Sequence, residues 1–339
     1  MREMNNEKSP ASTGESLGKS NCHNIPQTGS LAKISTTGMP RADWLELRRR
    51  GIGGSDAATI VGLNPWSSRL ELYADKKGLM PEKEDNEAMR QGRDLEDYVA
   101  QRWMEATGKK VRRENHILYN DQYPWAFANV DRVVIGEKSL LECKTTSVYN
   151  KTDFASGKIP DTYYVQCQHY LAVTGYERAY LAVLVLNSAF YTFVIERDEN
   201  EIKALMDAEK AFWMDHVQAG VEPAPDGSES AQRVLERMER AEGTALLMEH
   251  ECTFEAYQQL SDQIKALETE RDQYKQIIIQ ALGTNERGQS YTWQCSYLPQ
   301  TRNSVDSKKL QSAYPMVYAD VAKQSTSTIF RATKKKEEK

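Results

Sequence analysis

Two β-rich runs that meet at Gly136-Glu137 constrain the fold of this 339-residue chain more than any other feature. A glycine followed by any residue suits a two-residue type II′ hairpin turn, whose first position needs a positive φ. We therefore predict an antiparallel hairpin whose register is set by this turn. The facing pairs would be Ile135 with Lys138, Val133 with Leu140, and Asp131 with Glu142.

This hairpin would place two carboxylates side by side on one sheet face. Directly opposite residues of an antiparallel pair hold their Cβ atoms about 4.5–5.5 Å apart. Because side chains alternate along a strand, Lys144 shares the face of Asp131 and Glu142, whereas Leu141 and Cys143 point to the other. Adjacent carboxylates repel unless a cation compensates, and Mg²⁺ binds one or two carboxylates together with waters and substrate phosphate. The pattern favours a magnesium site, with a solvated charged sheet face as the alternative.

Four motifs in this chain resemble those of one nuclease family. Asp131 with Glu142-Cys143-Lys144 resembles the PD-(D/E)XK nuclease signature, with Val130 in place of the usual proline. Three further stretches resemble the YqaJ-type viral recombinase branch of that superfamily, whose relatives include bacteriophage lambda exonuclease. They are Trp44-x3-Arg48 with Gly51-Ile52-Gly53-Gly54-Ser55-Asp56, then Gly92-Arg93-Asp94-Leu95-Glu96, and then Tyr164-Val165-Gln166-Cys167-Gln168-His169-Tyr170.

The resemblance implies a catalytic centre. Asp131, Glu142 and the backbone carbonyl of Cys143 would bind Mg²⁺, for which Mn²⁺ could substitute. Glu96 would add a carboxylate from a helix; its alternative is an exposed helix residue. Lys144 would position the attacking water or stabilise the pentacoordinate phosphorus.

The resemblance also implies contacts to DNA. Gln166 and Gln168 would contact or orient groups near the cleaved strand, with polar packing on a helix as the alternative. Arg48 and Ser55 would hold a phosphate, the serine beside a helix N-terminus where backbone N–H groups favour anions. Further phosphate contacts would be Arg49 and Lys158, although a solvated arginine face explains at least one of the three consecutive arginines at 48–50 equally well.

The order of predicted elements indicates an α/β (α+β) fold. Helices come first, then a meander of strands, a helix, more strands and a helix, which predicts a central mixed β-sheet flanked by helices. The resemblance makes this a restriction-endonuclease-like core with a mainly helical C-terminal extension. The predicted parts are a disordered N-terminal tail at 1–38, a nuclease domain at 39–227, a helical or coiled-coil-like extension at 228–283, a small C-terminal module at 284–333 and a charged tail at 334–339.

The extension carries apolar residues at a spacing of three and four, with Arg271 interrupting the seam. This favours a long helix or helical hairpin packed on its own chain. A self-associating coiled coil is the alternative, because the repeat is short and imperfect. The residues are Tyr257, Leu260, Ile264, Leu267, Tyr274, Ile278 and Ala281.

Composition argues against several classes of protein, namely membrane proteins, secreted proteins and proteins with a cysteine-bound metal site. No apolar run approaches the roughly 18–20 residues that span a bilayer, and the N-terminus does not resemble a signal peptide, so we expect a cytoplasmic protein without a membrane partner. The five cysteines are scattered and form no C-x-x-C pair, so neither a zinc knuckle nor an iron–sulfur cluster is expected. The net charge of −5 leaves room for a local basic groove.

By resemblance, the activity would be processive 5′–3′ exonucleolytic hydrolysis of linear double-stranded DNA in phage-type homologous recombination. The product strand would pass to a single-strand-annealing recombinase, and the chain would form a homo-oligomer, with a closed ring as one form. The alternatives are a sequence- or structure-selective endonuclease and a catalytically weak DNA-binding subunit of a recombination complex.

Overall fold

The chain divides into two units, Met1–Met238 and Glu239–Lys339. The computed structural model describes residues 31–81, 85–238, 242–323 and 329–333. Residues 1–30 of the tail expected at 1–38 lie outside the described residues. The charged tail expected at 334–339 also lies outside them.

The first unit contains nine strands and eight α-helices among its described residues. The strands are β1 Ala32–Ser35, β2 Ile52–Gly53, β3 Val111–Arg113, β4 His116–Tyr119, β5 Ala126–Phe127, β6 Arg132–Val134, β7 Ser139–Thr146, β8 Arg178–Val185 and β9 Ala189–Glu196. The helices are α1 Arg41–Arg49, α2 Gly54–Ile60, α3 Arg69–Lys76, α4 Glu87–Thr107, α5 Lys151–Ala155, α6 Asp161–Thr174, α7 Glu199–Phe212 and α8 Glu229–Arg237. A 3₁₀ turn at Val148–Asn150 precedes α5, and a π-helical turn at Trp213–Gln218 continues α7.

The central sheet is mixed, as the sequence predicts. Its strand order is β3-β6-β7-β8-β9. The β7–β8 pair is parallel, and the other three pairs are antiparallel. Two short pairs lie outside it: β1 with β4, and β2 with β5.

The register predicted for the β6–β7 hairpin is confirmed. Val133 pairs with Leu140, and Arg132 pairs with Leu141. Gly136 has a φ of 86°, so the turn depends on the backbone freedom of glycine at this position. Asp131 and Glu142 lie one residue beyond the last paired residues, so the predicted pairing of these two residues is not part of the observed ladder.

Helices cover both faces of the sheet. On one face, Val99 and Trp103 of α4 pack against Leu141 of β7. On the other, Leu171 of α6 packs in the cluster that contains Leu140. Each fully buried leucine contributes about 1.5–3 kcal/mol, so the alternation along β7 binds the sheet to both layers.

Local signals define α4 well. The sequence predicts a helix over 87–107 with Gly108 as its C-cap, and both bounds are confirmed. The Asn86 side chain accepts a hydrogen bond from the backbone N–H of Met89, and Gly108 has a φ of 71°. These caps orient the helix that carries Glu96.

Two segments differ from the expected domain limits. Residues 32–35 form strand β1 rather than tail, because their backbone pairs with β4. Helix α8 belongs to the first unit rather than to the extension, because the buried Ser230 hydroxyl binds the backbone N–H of Ser68 at 2.7 Å and the carboxylate of Glu71 at 2.8 Å. These contacts join segments far apart in sequence, which composition does not reveal.

The second unit begins with a 3₁₀ turn at Met248–His250 and one long helix, α9 Glu251–Leu282. The predicted helix is therefore continuous, not a hairpin. The other elements are the antiparallel strands β10 Arg287–Gln289 and β11 Gln294–Ser296 and the helices α10 Ser307–Ala313 and α11 Pro315–Val321. None of the helices in the described ranges is long and apolar enough to cross a membrane.

Candidate active site

The hairpin and helix α6 together build a polar cluster at the sheet face. Glu142 and Lys144 project from β7 toward α6, and Asp131 immediately precedes β6. The Asp131 carboxylate accepts a hydrogen bond from the backbone N–H of Cys143 at 2.8 Å. The three residues predicted as the catalytic core are therefore adjacent.

Gln166 of α6 bridges Glu142 and Lys144. Its Nε2 donates to Glu142 Oε1 at 2.8 Å, and its Oε1 accepts from Lys144 Nζ at 3.0 Å. Lys144 Nζ also lies 2.7 Å from Glu142 Oε1. A second hydrogen bond from Gln166 Nε2 reaches the Tyr170 hydroxyl at 2.9 Å. The amide thus fixes the relative positions of the two charged groups.

The cluster carries an excess of negative charge. Burial and the neighbouring carboxylates of Glu142 and Glu96 raise the pKa of Asp131 well above its usual range. Burial lowers the pKa of Lys144, but the carboxylates of Glu142 and Asp131 outweigh burial and raise it overall, so the amine stays protonated. The half-buried Asp131 and the buried Glu142 share one ammonium, and a bound cation would favour the charged form of both carboxylates.

The residues present fit a divalent cation. Glu142 is only 3% exposed, and its Oε2 has no hydrogen-bond partner among the described residues. An unpaired buried carboxylate oxygen is costly unless something binds it. Asp131, Glu142 and the backbone carbonyl of Cys143 are oxygen donors of the kind Mg²⁺ prefers. No group of three or more His, Cys, Asp or Glu side chains in the described part of the chain could hold a metal ion by itself, so substrate oxygens and water would complete the shell.

Glu96 lies close to this cluster but is engaged elsewhere. Its carboxylate pairs with Arg132, whose guanidinium also contacts Asp97 at 2.7 Å and the backbone carbonyl of Asp131 at 2.7 Å. Arg132 is buried, and the motifs gave no sign of its role. The contact arises because β6 and α4, which are distant in sequence, pack together. Glu96 therefore acts on Asp131 through its charge and through Arg132, while its role as a metal ligand stays a prediction.

Gln168 lies away from the charged cluster. Its Nε2 donates to the backbone carbonyl of Glu196 at 2.8 Å and to the Tyr164 hydroxyl at 3.1 Å, and its Oε1 accepts from the backbone N–H of Asp198 at 3.3 Å. Residues two apart on a helix do not face the same way. The structure therefore brings Gln166, but not Gln168, to the carboxylates.

Arg48 and Ser55 are brought together as predicted. A guanidinium nitrogen of Arg48 lies 3.3 Å from the Ser55 hydroxyl and 3.7 Å from Asp56, and the group stacks over Trp44 at 5.0 Å from the ring centre. Trp44 and Arg48 are one helical turn apart, which explains the W-x3-R spacing. Asp56 in turn forms a buried ion pair with Lys76 at 2.6 Å.

That ion pair was not anticipated from the sequence. Lys76 Nζ also donates to the backbone carbonyl of Arg48 at 3.1 Å, and Asp56 accepts from the backbone N–H of Gly53 at 2.9 Å. Burial raises the pKa of Asp56, but Lys76 and Arg48 outweigh it and lower the pKa overall. The buried pair therefore holds α1, α2 and α3 together under Arg48 and Ser55.

The other two predicted phosphate contacts lie apart from this element. Arg49 is 4.0 Å from Glu46 on the same helix. Lys158 is exposed in the loop between α5 and α6. Neither reaches the carboxylate cluster directly.

Gly54 sets how closely α2 approaches the site. A Cβ atom at this position would lie 2.5 Å from the ring of Tyr170, which is too close for van der Waals contact. Because Tyr170 accepts the hydrogen bond from Gln166, the glycine connects the N-terminal element with the catalytic cluster. This steric need gives a physical reason for the glycine run in that motif.

Known proteins resemble this chain in sequence and in fold. The model of the YqaJ-like viral recombinase domain matches residues 43–177. The protein YqaJ of Bacillus subtilis (strain 168) is 40% identical over 302 residues, which are 87% of this chain and 94% of that protein.

Two solved exonuclease structures show partial similarity to this chain. The alkaline exonuclease LHK-Exo of Laribacter hongkongensis superposes with a TM-score of 0.46 at 21% identity, over 53% of this chain and 94% of that one. A phage-related exonuclease of Haemophilus somnus 129PT superposes with a TM-score of 0.41 at 15% identity, over 50% of this chain and 96% of that one.

Proposed function

Since the chain belongs to the YqaJ-like viral recombinase family, we propose that it is a metal-dependent DNA nuclease. The favoured activity is processive 5′–3′ hydrolysis of linear double-stranded DNA during phage-type recombination in the bacterial cytoplasm. One observation carries the proposal: Glu142, Lys144 and Gln166 form a closed set of contacts beside Asp131, and one buried oxygen of Glu142 has no partner in the described structure. We assign the activity to residues 39–227.

Asp131, Glu142 and the backbone carbonyl of Cys143 would hold Mg²⁺, or Mn²⁺ in its place. The bound ion supplies a Lewis acid for the scissile phosphate and a water of lowered pKa. The chain's own contribution is to keep the half-buried Asp131 carboxylate beside the buried carboxylate of Glu142. The hydrogen bond from Cys143 to Asp131 orients one of them.

Lys144 would donate a hydrogen bond to the attacking water or to a phosphate oxygen. Its ammonium is held between Glu142 and Gln166, so it is positioned before substrate arrives. Donors that are fixed in advance avoid reorganisation in the transition state, which is where much of the rate enhancement of such sites originates. Gln166 acts as a positioning residue for both charged groups, and Glu96 would adjust the charge at Asp131.

The Arg48–Ser55 pair would bind a backbone phosphate of the DNA, with Arg49 and Lys158 as further contacts. Arg48 already carries a hydrogen bond to Ser55 and stacks on Trp44, so little side-chain freedom is lost on binding. Such contacts position DNA without reading its sequence. This suits an enzyme that degrades duplex DNA of any sequence.

Hydrolysis of one strand would leave a single strand of the other polarity. A single-strand-annealing recombinase would be the partner that takes up this product. Enclosure of the duplex by a homo-oligomer would explain processivity.

Digestion of matched DNA substrates tests the activity. Linear duplex with 5′-phosphate ends should be degraded in Mg²⁺, linear duplex with 5′-hydroxyl ends should react more slowly, and covalently closed circular duplex should survive. Lys144→Ala is the control for contaminating nucleases and should be inactive. Cutting of the closed circle by the unmodified chain but not by Lys144→Ala would establish an endonuclease instead. No digestion of any substrate in Mg²⁺ or Mn²⁺ would establish a DNA-binding subunit.

A further inference from the structure

Helix α9 exposes a long apolar face that Arg271 interrupts. Seven large apolar side chains along it are each about half exposed or more, and Leu282 at its end is its one buried residue among those described. A long helix with such a face is not stable as an isolated element and needs packing against a partner. The exposed residues are Tyr257, Leu260, Ile264, Leu267, Tyr274, Ile277 and Ile278. Tyr257 also contacts Phe330 of the same chain edge to face, with ring centres 5.4 Å apart.

The spacing of this face is that of a coiled-coil seam. Four heptads place Tyr257, Ile264, Arg271 and Ile278 at a positions. The d positions are Leu260, Leu267, Tyr274 and Ala281. A β-branched residue at a with leucine at d, as in Ile264 and Leu267, favours two parallel strands.

Charges beside the seam select the orientation of a second α9. In a parallel pair, Glu270 at g of one helix lies next to Lys275 at e of the other, and Glu270 also flanks the other helix's Arg271. An antiparallel pair with full overlap would instead set Glu270 against Glu270 and Glu268 against Glu268, and like charges in contact are unfavourable. The parallel pair also sets Arg271 against Arg271 at an a position, and there Glu270 of each helix flanks the other helix's arginine and offsets the repulsion.

Arg271 is available for this contact. In the single chain its guanidinium lies 3.5 Å from Asp272, its sequence neighbour, and both side chains are more than half exposed. One charged residue at an a position weakens a coiled coil but defines its register and number of strands. The interruption of the apolar repeat is thus consistent with a specific pair.

We propose that α9 docks against α9 of a second copy of this chain as a parallel, in-register, two-stranded coiled coil. The pair would join two nuclease units through their C-terminal parts. This interface depends on residues far from the catalytic cluster in sequence, so it stands or falls independently of the proposed nuclease activity.

The mass of the full-length chain in solution tests the pair. Sedimentation or light scattering across a dilution series should give twice 38.6 kDa. Leu267→Glu puts a charge at a d position and should abolish the dimer, whereas Gln276→Glu on the opposite side of α9 should leave it intact. A monomer at all concentrations would overturn the proposal and favour packing of α9 on its own chain. A trimer would also overturn it, as would an equal effect of the two substitutions.

Disulfide cross-linking tests the orientation. Leu267→Cys should give a covalent dimer on mild oxidation, because the two positions meet only in a parallel, in-register pair. Gln276→Cys is the matched control and reports the background from the native cysteines, of which Cys252 and Cys295 are exposed. Cross-linking no greater at 267 than at 276 would overturn the parallel arrangement. Far-ultraviolet circular dichroism of each variant confirms that α9 remains folded.

Discussion

The carboxylate of Asp131 accepts a 2.8 Å hydrogen bond from the backbone N–H of Cys143, the residue between Glu142 and Lys144. This bond draws the start of β6 toward β7 beyond the last residues of the regular ladder, which end at Arg132 and Leu141. It leaves the half-buried Asp131 carboxylate close to the buried carboxylate of Glu142. The chain alone therefore does not neutralise the negative charge that these two carboxylates carry when both are ionised.

The first prediction concerns this unbalanced charge. Asp131→Asn should raise the melting temperature of the metal-free protein, because burial and the carboxylates of Glu142 and Glu96 disfavour the charged form of Asp131. The same change should lower DNA cleavage by about 10³-fold or more, since a catalytic metal contributes several kcal/mol. Scanning calorimetry with and without Mg²⁺ measures the first effect. Mg²⁺ should stabilise the unmodified chain more than the variant, and equal stabilisation of both would contradict the assignment.

The second prediction separates the two glutamines of α6. Gln166→Ala removes the bridge between Glu142 and Lys144 and should lower kcat by about 10–100-fold, as loss of supporting contacts at metal sites does. Gln168→Ala leaves buried backbone groups unpaired and should cost about 1–3 kcal/mol in the free energy of unfolding, with little change in kcat of the folded enzyme. Urea denaturation and single-turnover digestion give the two readouts. Equal losses of kcat in the two variants would refute the distinction.

Sequence reasoning succeeded where the site is local. Asp131, Glu142 and Lys144 lie on one hairpin, so a turn glycine and the alternation of strand side chains are enough to place them on one face. The bounds of α4 follow from Asn86 and Gly108 in the same way. Short-range chemistry determines these features.

The rest of the site depends on long-range packing. Arg132 reaches Glu96 only because α4 crosses the sheet, and Lys76 reaches Asp56 only because α3 lies against α2. Gln166 and Gln168 could not be told apart, since α6 is buried on most sides and has no polar stripe to mark the face toward the site. The spacing of residues along the sequence does not predict these tertiary contacts or the face of α6 that points toward the site.

The third prediction concerns the phosphate contact. Arg48→Ala should weaken binding of duplex DNA similarly for different sequences and should reduce the slope of log K against log salt by about one, as expected for one lost phosphate contact. Arg49→Ala is the comparison variant and should weaken binding less, since Arg49 lies near Glu46 rather than Ser55. Fluorescence anisotropy at several salt concentrations measures both. A larger loss for Arg49→Ala would show that the DNA follows the other face of α1.

The last prediction uses a buried pair outside the cleavage site. His169 Nδ1 lies 2.7 Å from a Glu209 carboxylate oxygen, and Nε2 lies 3.0 Å from the carbonyl oxygen of Phe127, so both ring nitrogens face acceptors. Burial lowers the pKa of His169, but Glu209 outweighs burial and raises it above 6.5. A group whose pKa is higher in the folded than in the unfolded state contributes to stability in its protonated form. This contribution is complete below the unfolded pKa and is lost as the pH rises through the folded pKa. The melting temperature should therefore fall as the pH rises from about 6.5 through the folded pKa of the histidine.

Glu209→Gln tests this pair directly. The substitution should cost about 3–5 kcal/mol below pH about 6.5, because it leaves a buried imidazolium without its counter-charge. That cost is met by release of the proton from His169, because burial without Glu209 lowers the pKa of the ring. The variant should therefore show a flatter decline of stability with rising pH. His216→Gln is the matched control, because that histidine is partly exposed and makes one hydrogen bond, to the Val221 carbonyl. Persistence of the wild-type pH slope in Glu209→Gln would show that other groups produce it, and His169 would then be neutral in the native chain.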